Sequence, residues 1–394
     1  MSSSAILPGA TIGILGGGQL GRMTALAARS MGYDIHVLDP DASCATAPIA
    51  SRTVTASFND VVAAADLARH CDVITLEIEQ IHPDVLDAAS QHAPVRPGRD
   101  AVFINQDRIR QKSWLHAEQF PVGKFVAARS RADVADAVQH FGDSIAKSTH
   151  GGYDGRGQVR LDHPGLASDA WTALGARDCV VEQLVDIDYE VSVLVARRPG
   201  GELAVYPPSR NHHVGGVLTW AVAPAMIPLS VSHQAQSLAV RIAERLDIVG
   251  LLAVECFVTR DGQLLVNELA PRPHNTFHHS ERSSGASQFE QLVRAICDLP
   301  LGATATVTPA AIVNLLGDVW LQEAPPTIVD ALAVPSSRLH LYGKREARAG
   351  RKMGHLSTIG DTAQLALSRA LESYRLMSPA SPALHTPSLP LAST

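Results

Sequence analysis

No stretch of this chain approaches the roughly 18 consecutive apolar residues that a membrane-spanning helix needs, and no positively charged segment opens it as in a secretory signal. The five cysteines are odd in number, widely spaced and without a C-x-x-C pair, which argues against a disulfide framework and against a zinc site. We therefore expect a reduced, cytoplasmic setting and no membrane contact.

Basic residues are in deficit: 33 lysines and arginines stand against 39 aspartates and glutamates, for a net charge of −6. General nucleic-acid-binding proteins carry a basic excess, so we expect no nucleic-acid partner, and any anion site must be local. The chain also contains no G-x-x-x-x-G-K-[ST] phosphate loop and no internal repeat. Its 394 residues, 46% of them hydrophobic, suffice for about two to four domains.

The beginning of the chain predicts a Rossmann-like α/β unit. A strand at Thr11–Leu15 is followed by a glycine turn, a helix at Arg22–Met31 and a second strand at Asp34–Leu38. Another buried strand at Val73–Ile78 precedes a proline-rich stretch at 94–98. We therefore expect a first domain at residues 1–105.

The rest of the chain predicts an α+β organisation in which short strands alternate with helices. The predicted elements are helices at Gln106–Gln119 and Arg131–Phe141 and strands at Gly123–Ala128, Ile145–Ser148, Gln158–Leu161, Cys179–Gln183, Tyr189–Val195, Ala311–Leu315 and Arg338–Tyr342. We expect a domain at 106–305, a C-terminal domain at 306–377 and a disordered Pro- and Ser-rich tail at 378–394.

Two glutamates are the most informative feature. Gly250–Thr259 and Leu264–Leu269 both predict strands, and the Asp-Gly pair between them is a strong hairpin signal. Counting outward from that turn places Glu255 opposite Glu268, about 5 Å apart at Cβ, where like charges repel unless something neutralises them. Mg²⁺, which prefers oxygen ligands, would do so. The alternative is a solvated face with two unrelated glutamates.

The first glycine loop satisfies G-x-G-x-x-G through Gly16, Gly18 and Gly21, and Asp39 lies at the end of the next predicted strand. Three interpretations stay open. The loop could bind NAD(P) with Asp39 on the ribose, contact another substrate, or only permit close packing of the helix.

The second glycine loop runs from His150 to Gln158 and contains four glycines. Glycine lets backbone amides approach an anion closely, and Lys147 and Arg156 add positive charge. This combination predicts a flexible cover over phosphates, and the alternative is a mobile hairpin tip.

Several motifs occur in series along the chain. They are Lys147 followed by Gly151-Gly152-Tyr153-Asp154-Gly155-Arg156-Gly157-Gln158, then Val180-Val181-Glu182-Gln183, Glu190-Val191-Ser192, Glu255-Cys256-Phe257-Val258 and Asn267-Glu268-Leu269-Ala270-Pro271-Arg272-Pro273-His274-Asn275. With the segments 16–23 and 350–355, they resemble the 5-(carboxyamino)imidazole ribonucleotide synthases, an ATP-grasp family of purine biosynthesis.

The resemblance implies an ATP-grasp fold with an N-terminal Rossmann-like (pre-ATP-grasp) domain and a small C-terminal β-rich domain. It also implies a small lid at about 123–188 within the ATP-grasp domain. It implies carboxylation of 5-aminoimidazole ribonucleotide with ATP and bicarbonate, through carboxyphosphate, in a homodimeric enzyme. The implied ATP contacts are Arg108, Lys147, Gly152, Tyr153, Asp154, Gly155, Arg156, Gly157 and Gln158, an adenine hinge at Glu182, Gln183, Leu184 and Val185, Glu190 on the ribose, His213, Asn267 and Glu268. Glu255 and Glu268 would hold two Mg²⁺ ions.

The implied ribonucleotide site draws on all parts of the chain. Its residues are Gln19, Leu20, Tyr153, Arg156, Arg272, His274, Asn275, Lys344, Arg351 and Lys352. Arg272, His274 and Lys147 are the implied catalytic groups, with Arg272 on carboxyphosphate and His274 handling protons. The last three substrate residues belong to a basic cluster at 344–352, which on charge alone would more often be a solvated face.

The chain departs from the family at Thr276-Phe277-His278-His279, where a small Ser-Gly pair is usual, and this affects the expected pocket floor. His274 and His278 are spaced as i and i+4, but without a third ligand we expect no transition-metal site. Three other functions stay open: a sister enzyme such as a formate-using glycinamide ribonucleotide transformylase, an NAD(P) oxidoreductase built on the first loop, and a non-catalytic ATP-binding regulator.

Overall fold

The computed structural model describes residues 5–151, 156–379 and 384. Within these ranges the chain forms three sheets, and none of the helices is both long and apolar enough to cross a bilayer. The disorder predicted for 378–394 concerns residues that lie almost entirely outside the described ranges.

The N-terminal part is a parallel sheet in the order β3-β2-β1-β4, flanked by helices. Its elements are β1 (Thr11–Leu15), α1 (Gln19–Ser30), β2 (Asp34–Asp39), β3 (Arg52–Thr55), α2 (Val61–Ala68), β4 (Val73–Leu76), α3 (Pro83–Ser90) and α4 (Arg99–Asn105). Strand β1 is buried along almost its whole length, as expected for a parallel strand covered on both faces. Helix α1 begins three residues before the predicted start because Gly18 is already its N-cap and Gly21 lies in its first turn.

A small antiparallel sheet follows, in the order β5-β8-β6-β7. Its elements, with the helix that precedes them, are α5 (Arg108–Ala117), β5 (Phe125–Ala128), α6 (Arg131–Phe141), β6 (Ser144–Ser148), β7 (Gln158–Leu161), α7 (Ala167–Ala173) and β8 (Cys179–Gln183). Helices α6 and α7 pack on it through a common apolar cluster. This sheet lies at the lid predicted for about 123–188.

The largest sheet has the order β14-β13-β9-β11-β12-β15-β17-β16, with β10 paired to β9. Its elements and covering helices are β9 (Ile187–Arg197), β10 (Leu203–Val205), β11 (Ser209–Val214), β12 (Val217–Ala223), α8 (Leu229–Arg245), β13 (Gly250–Thr259), β14 (Leu264–Ala270), α9 (Ser280–Ser283), α10 (Gln288–Ile296), β15 (Ala310–Leu316), α11 (Ile328–Ala333), β16 (Arg338–Leu341), β17 (Lys352–Ile359) and α12 (Ala363–Met377). The C-terminal strands thus continue the central sheet through the β12–β15 pair. The domain limits at 105, 305 and 377 stay predictions.

The β13–β14 hairpin contains the predicted pair of Glu255 and Glu268, but the register of the two strands differs from the predicted one near the turn. Val258, not Thr259, pairs with Leu264, because the turn is one residue longer than predicted. A register shift next to Glu255 then leaves Asn267 as an extra residue, which brings Glu255 opposite Glu268. The predicted pairing of Glu255 with Glu268 is therefore confirmed, whereas the sequence did not predict the bulge.

Candidate active site

Glu255 and Glu268 lie at the centre of the site and already have basic partners. Arg108 donates to Glu268 Oε2 over 3.0 Å, and His274 Nε2 lies 3.0 Å from Glu255 Oε1. The Glu255 side chain is 10% exposed and that of Glu268 is 35% exposed, so an ion could reach the pair from the Glu268 side.

The electrostatics of this pair suit a divalent cation. Burial, and then the charge of Glu268, raise the pKa of Glu255. Burial acts in the same sense on Glu268, but the guanidinium of Arg108 outweighs it and lowers that pKa. One ligand atom each from Glu255, Glu268 and His274 lies within 4.8 Å of the others. Two opposed carboxylates, one of them hard to ionise, form an oxygen-rich donor set that Mg²⁺ would stabilise.

Glu190 and His213 adjoin the pair on the neighbouring strands β9 and β11. His213 Nδ1 lies 2.7 Å from Glu190 Oε2. Burial lowers the pKa of His213, but the contact with Glu190 outweighs this and raises it to about 9. His213 is therefore cationic at neutral pH and orients Glu190, while nucleotide contacts of both residues stay predictions.

Lys147 is held by a buried ion-pair triad. The carboxylate oxygens of Glu182 lie 3.0 Å from Lys147 Nζ and 3.1 Å from Lys112 Nζ, and all three side chains are at most 13% exposed. Burial opposes ionisation of Glu182, but the two ammonium groups outweigh it and lower its pKa. The carboxylate of Glu182 thus fixes the lysine. Its place in an adenine hinge stays a prediction.

The remaining lid residues are only partly brought into the site. The amides of Gln183 and Leu184 donate to carbonyls of Lys124 and Asp143, so these two donors are already used within the protein. Gly152, Tyr153, Asp154 and Gly155 lie outside the described residues. The nucleotide roles of Gln183, Leu184, Val185, Gly157 and Gln158 stay predictions.

Arg272, His274 and Asn275 follow directly after β14. The Nε of Arg272 lies 2.8 Å from Glu79 Oε1. Burial and the charge of Arg272 lower the pKa of His274 to about 3, so the imidazole is neutral at pH 7. The Asn275 side chain has both polar atoms buried without a protein hydrogen bond, which is costly unless a ligand or water satisfies them.

The basic C-terminal cluster meets the first glycine loop. Lys344 Nζ donates to Gln19 Oε1 and to the carbonyl of Lys352, each over 2.7 Å. Leu20 is buried in the same region. The charge of Lys352 also favours the ionised form of Glu255, although burial and Glu268 outweigh it and raise the pKa of that carboxyl. The structure therefore brings Gln19, Lys344 and Lys352 together.

Arg351 and Arg156 lie at the rim of this cluster. Arg351 donates to the carbonyl of Glu346 over 2.9 Å. A Cβ placed on Gly350 would lie 3.8 Å from an Arg156 guanidinium nitrogen. The side chain of Arg156 therefore approaches the C-terminal cluster. Contacts of either arginine with a substrate stay predictions.

The first glycine loop is occupied by the protein's own carboxylates. Gly18 N and Gly21 N donate to Glu77 over 2.5 and 2.6 Å, and Gly17 N donates to Asp39 over 2.7 Å. These amides at the start of α1 are the ones that would bind a dinucleotide phosphate. The geometry therefore argues against NAD(P) in this loop.

Packing in this loop leads to a stability prediction. A Cβ on Gly21 would lie 2.6 Å from the carbonyl oxygen of Gly16, whereas a Cβ on Gly200 would meet nothing within 4 Å. We expect Gly21→Ala to reduce the free energy of unfolding by about 1–3 kcal/mol, as overpacking does. The matched Gly200→Ala should change it by less than about 0.5 kcal/mol. Urea denaturation checks both, and equal losses would contradict the predicted clash.

Phe277 does not form a pocket floor. It is fully buried, with its ring 5.9 Å from that of Tyr206 and 5.3 Å from that of His279. The bulk that departs from the family pattern thus fills the core.

Sequence reasoning missed the residues that hold the site in place, namely Lys112, Glu77, Glu79 and Gln288. One signal was available for two of them. Glu77 and Glu79 follow β4, and the carboxyl ends of parallel strands are where such folds place functional groups. Nothing in the local pattern marks Lys112 or Gln288.

Comparisons with known proteins identify the domains of the chain. The chain matches the ribonucleotide synthetase preATP-grasp domain over residues 9–106, the ATP-grasp domain over 113–289 and the phosphoribosylaminoimidazole carboxylase C-terminal domain over 310–369. These matches confirm the predicted fold class.

Relatives and solved structures extend the match over nearly the whole chain. The N5-carboxyaminoimidazole ribonucleotide synthases of Bacillus subtilis and Brucella melitensis are each 39% identical to it, over 91% of this chain and 93% and 99% of theirs. An N5-carboxyaminoimidazole ribonucleotide synthetase solved with ADP has a TM-score of 0.88 at 40% identity, covering 94% of this chain and 98% of its own. The Aspergillus clavatus synthase solved with ADP and 5-aminoimidazole ribonucleotide has a TM-score of 0.86 at 28% identity, with coverages of 94% and 99%. The chain belongs to the N5-carboxyaminoimidazole ribonucleotide synthase family of ATP-grasp enzymes.

Proposed function

We propose that the protein carboxylates 5-aminoimidazole ribonucleotide with ATP and bicarbonate, giving N5-carboxyaminoimidazole ribonucleotide, ADP and phosphate. The observation that carries the proposal is the opposed pair Glu255 and Glu268. Arg108 contacts Glu268, and the charge of Lys147 helps to lower the pKa of that carboxyl. The charge of Lys352, whose carbonyl accepts from Lys344, favours the ionised form of Glu255. Relatives with this name, and one solved with ADP and the ribonucleotide, support it.

The reaction needs two transfers in one site. A bicarbonate oxygen bonds to the γ-phosphorus of ATP as the bond from that phosphorus to the ADP oxygen breaks, which gives carboxyphosphate and ADP. The exocyclic amine of the ribonucleotide then bonds to the carboxyl carbon, directly or after release of CO₂, phosphate leaves, and the amine loses a proton. Because carboxyphosphate hydrolyses in water, the site must exclude solvent during these steps.

The chain's own groups fit the first transfer. We propose that Lys147, Arg108 and the second glycine loop bind the triphosphate, with Lys147 held in position by Glu182. Mg²⁺, as two ions, would be held by Glu255 and Glu268 beside Asn267, and when bound it supplies positive charge next to the phosphates. Glu190 and His213 would orient the ribose.

The second transfer falls to residues after β14. We propose that Arg272, fixed by Glu79, binds the carboxyphosphate anion. Both nitrogens of His274 are engaged, Nε2 with Glu255 and Nδ1 with Thr276 Oγ1 at 2.9 Å. His274 can therefore accept a proton only after one of these contacts breaks. We propose that the buried side-chain amide of Asn275 forms hydrogen bonds with the substrate. We also propose that Lys344, Lys352 and Arg351 bind the phosphate of the ribonucleotide.

The decisive test is ADP release with each pair of cosubstrates. We expect ADP only when 5-aminoimidazole ribonucleotide and bicarbonate are both present, measured by a coupled spectrophotometric assay. ADP with glycinamide ribonucleotide and formate instead would assign the sister reaction, and ADP without any acceptor would indicate an uncoupled ATPase. Homodimeric assembly and a cytoplasmic location stay predictions, the first checked by sedimentation.

A further inference from the structure

Three histidines, two of them buried, stack ring on ring. We call His278, His355 and His340 the histidine stack. The rings of His278 and His355 have centroids 4.9 Å apart at an angle of 17°, and those of His355 and His340 are 5.1 Å apart at 15°. His278 and His355 are at most 1% exposed, and burial lowers the pKa of both well below the usual value, so this part of the stack is neutral.

One end of the stack is joined to the catalytic histidine through Gln288. Gln288 Oε1 accepts from the amide of His274 over 2.8 Å, and Gln288 Nε2 donates to the carbonyl of His274 over 2.9 Å. The bond to the amide fixes which end of the Gln288 side chain is the oxygen. Its Nε2 therefore also donates to His278 Nδ1, over 3.1 Å. Gln288 is fully buried and clamps the backbone of His274 against the stack.

The middle ring of the stack, His355, is joined through Tyr342 to the chain segment that carries the phosphate-binding lysine. The Tyr342 hydroxyl and His355 Nδ1 share a hydrogen bond of 2.9 Å, and both side chains are buried. Tyr342 is followed by Gly343 and Lys344, and its amide donates to the carbonyl of Met353 over 2.9 Å. The hydroxyl bond thus fixes the point from which the chain leaves β16 toward Lys344.

The stack does not have the arrangement of a metal centre, although atoms of Glu281, His340 and His355 lie within 4.8 Å of one another. The nitrogen lone pairs of His340 and His355 lie in their own ring planes, and these planes are nearly parallel, so the lone pairs do not converge readily on one ion. Burial raises the pKa of Glu281, and the positive charges of Arg338 and Arg282 oppose that rise. Burial lowers the pKa of His340, and the charges of Arg22 and Arg338 lower it further. The same charges would repel a bound cation. A packing role is the better explanation.

We propose that Tyr342 and Gln288 are positioning residues that hold the phosphate-binding lysine Lys344 and the catalytic His274 in one rigid frame through the histidine stack. The inference rests on the proposed function for the roles of its two ends. Protein interiors are close-packed, so buried, hydrogen-bonded rings in contact leave little room for the two ends to move separately. The frame sets the distance between the ribonucleotide phosphate and the carboxylating end.

The test removes one hydroxyl. Tyr342→Phe keeps the ring in place and deletes the bond to His355, and Tyr33→Phe is the matched control because its buried hydroxyl donates to the carbonyl of Ile6 over 2.6 Å, among N-terminal residues. We expect Tyr342→Phe to raise KM for the ribonucleotide about 3- to 10-fold, the worth of one hydrogen bond, with KM for ATP unchanged. Tyr33→Phe should leave both KM values unchanged. Equal increases in both KM values for Tyr342→Phe would overturn the proposal.

A second measurement does not depend on the reaction. Amide hydrogen exchange in residues 343–353 should be faster in Tyr342→Phe than in Tyr33→Phe, because the segment loses its anchor. Unchanged amide exchange in residues 343–353 would overturn the inference even if the enzyme is active. If the unaltered protein releases no ADP with the ribonucleotide and bicarbonate, the proposed function fails, while the exchange comparison still decides whether Tyr342 fixes the segment.

Gln288→Met tests the opposite end. It deletes the clamp on His274 at similar volume, and we expect it to lower kcat about 10-fold or more with a smaller change in KM for the ribonucleotide. Combined with Tyr342→Phe, the losses in kcat/KM should not multiply, because both variants loosen one frame. Multiplicative losses would show that the two residues act independently.

Discussion

Glu268→Gln is expected to lower kcat by about 10³-fold while the protein keeps its fold. The substitution keeps the side-chain shape but removes one of two carboxylates that face each other across β13 and β14. Several kcal/mol of charge stabilisation by a metal at the phosphates corresponds to about three powers of ten in rate. The measurement is ADP release at saturating ribonucleotide and bicarbonate over a range of Mg²⁺ concentrations, because a weakened metal site also shifts the Mg²⁺ dependence.

The control for this variant is Glu118→Gln, which removes a carboxylate from a surface ion pair with Arg245. It should leave kcat and the Mg²⁺ dependence unchanged. Circular dichroism confirms that both variants are folded. Turnover of Glu268→Gln close to that of the unaltered protein would refute the metal assignment.

Glu182→Gln is expected to reduce the free energy of unfolding by about 3–5 kcal/mol, since removing one partner of a buried ion pair leaves uncompensated charge. Here the loss leaves two ammonium groups, Lys112 and Lys147, at 5% and 13% side-chain exposure. Glu118→Gln should cost at most about 1 kcal/mol, as exposed pairs do. Urea unfolding monitored by fluorescence compares them, and equal losses would mean that the triad contributes no more than a surface pair.

The same variant should depend on pH in a defined sense. Burial lowers the pKa of Lys112 below its ordinary value of 10.5, and loss of the Glu182 charge lowers it further. Between that lowered pKa and 10.5 the unfolded chain binds more protons than the folded one, so stability rises with pH. Raising the pH from about 7 toward 9.5 should therefore recover part of the lost stability. A flat or falling profile would contradict unpaired burial of Lys112.

Local elements were predictable where the sequence carries both periodicity and an end signal. Helix α6 has the predicted bounds because Ser130 caps it, accepting from the amide of Asp133. Strands β7, β8 and β13 also coincide with the prediction. The pairing of Glu255 with Glu268 was also predicted correctly. The structure differs from the predicted hairpin in two ways whose effects on the register cancel: the turn is one residue longer, and a bulge occurs at Asn267. Neither has a local signature in these residues.

Contacts between distant segments were beyond local reasoning. Glu77 fills the first glycine loop from 59 residues away, and Lys344 reaches Gln19 across 325 residues. Glycine spacing shows that amides are available, but only the fold shows which anion occupies them. The family resemblance supplied the meeting of Gln19 with Lys344, which composition and periodicity could not.

The continuation of the central sheet by β15, β17 and β16 has a consequence for the folding of shortened chains. Strand β12 is paired on one side with β11 and on the other with β15. A polypeptide ending before β15 would present the unpaired backbone of β12 to solvent, and such an edge is a template for pairing with other molecules. The C-terminal strands therefore protect β12 against edge-to-edge pairing with other molecules, in addition to contributing lysines.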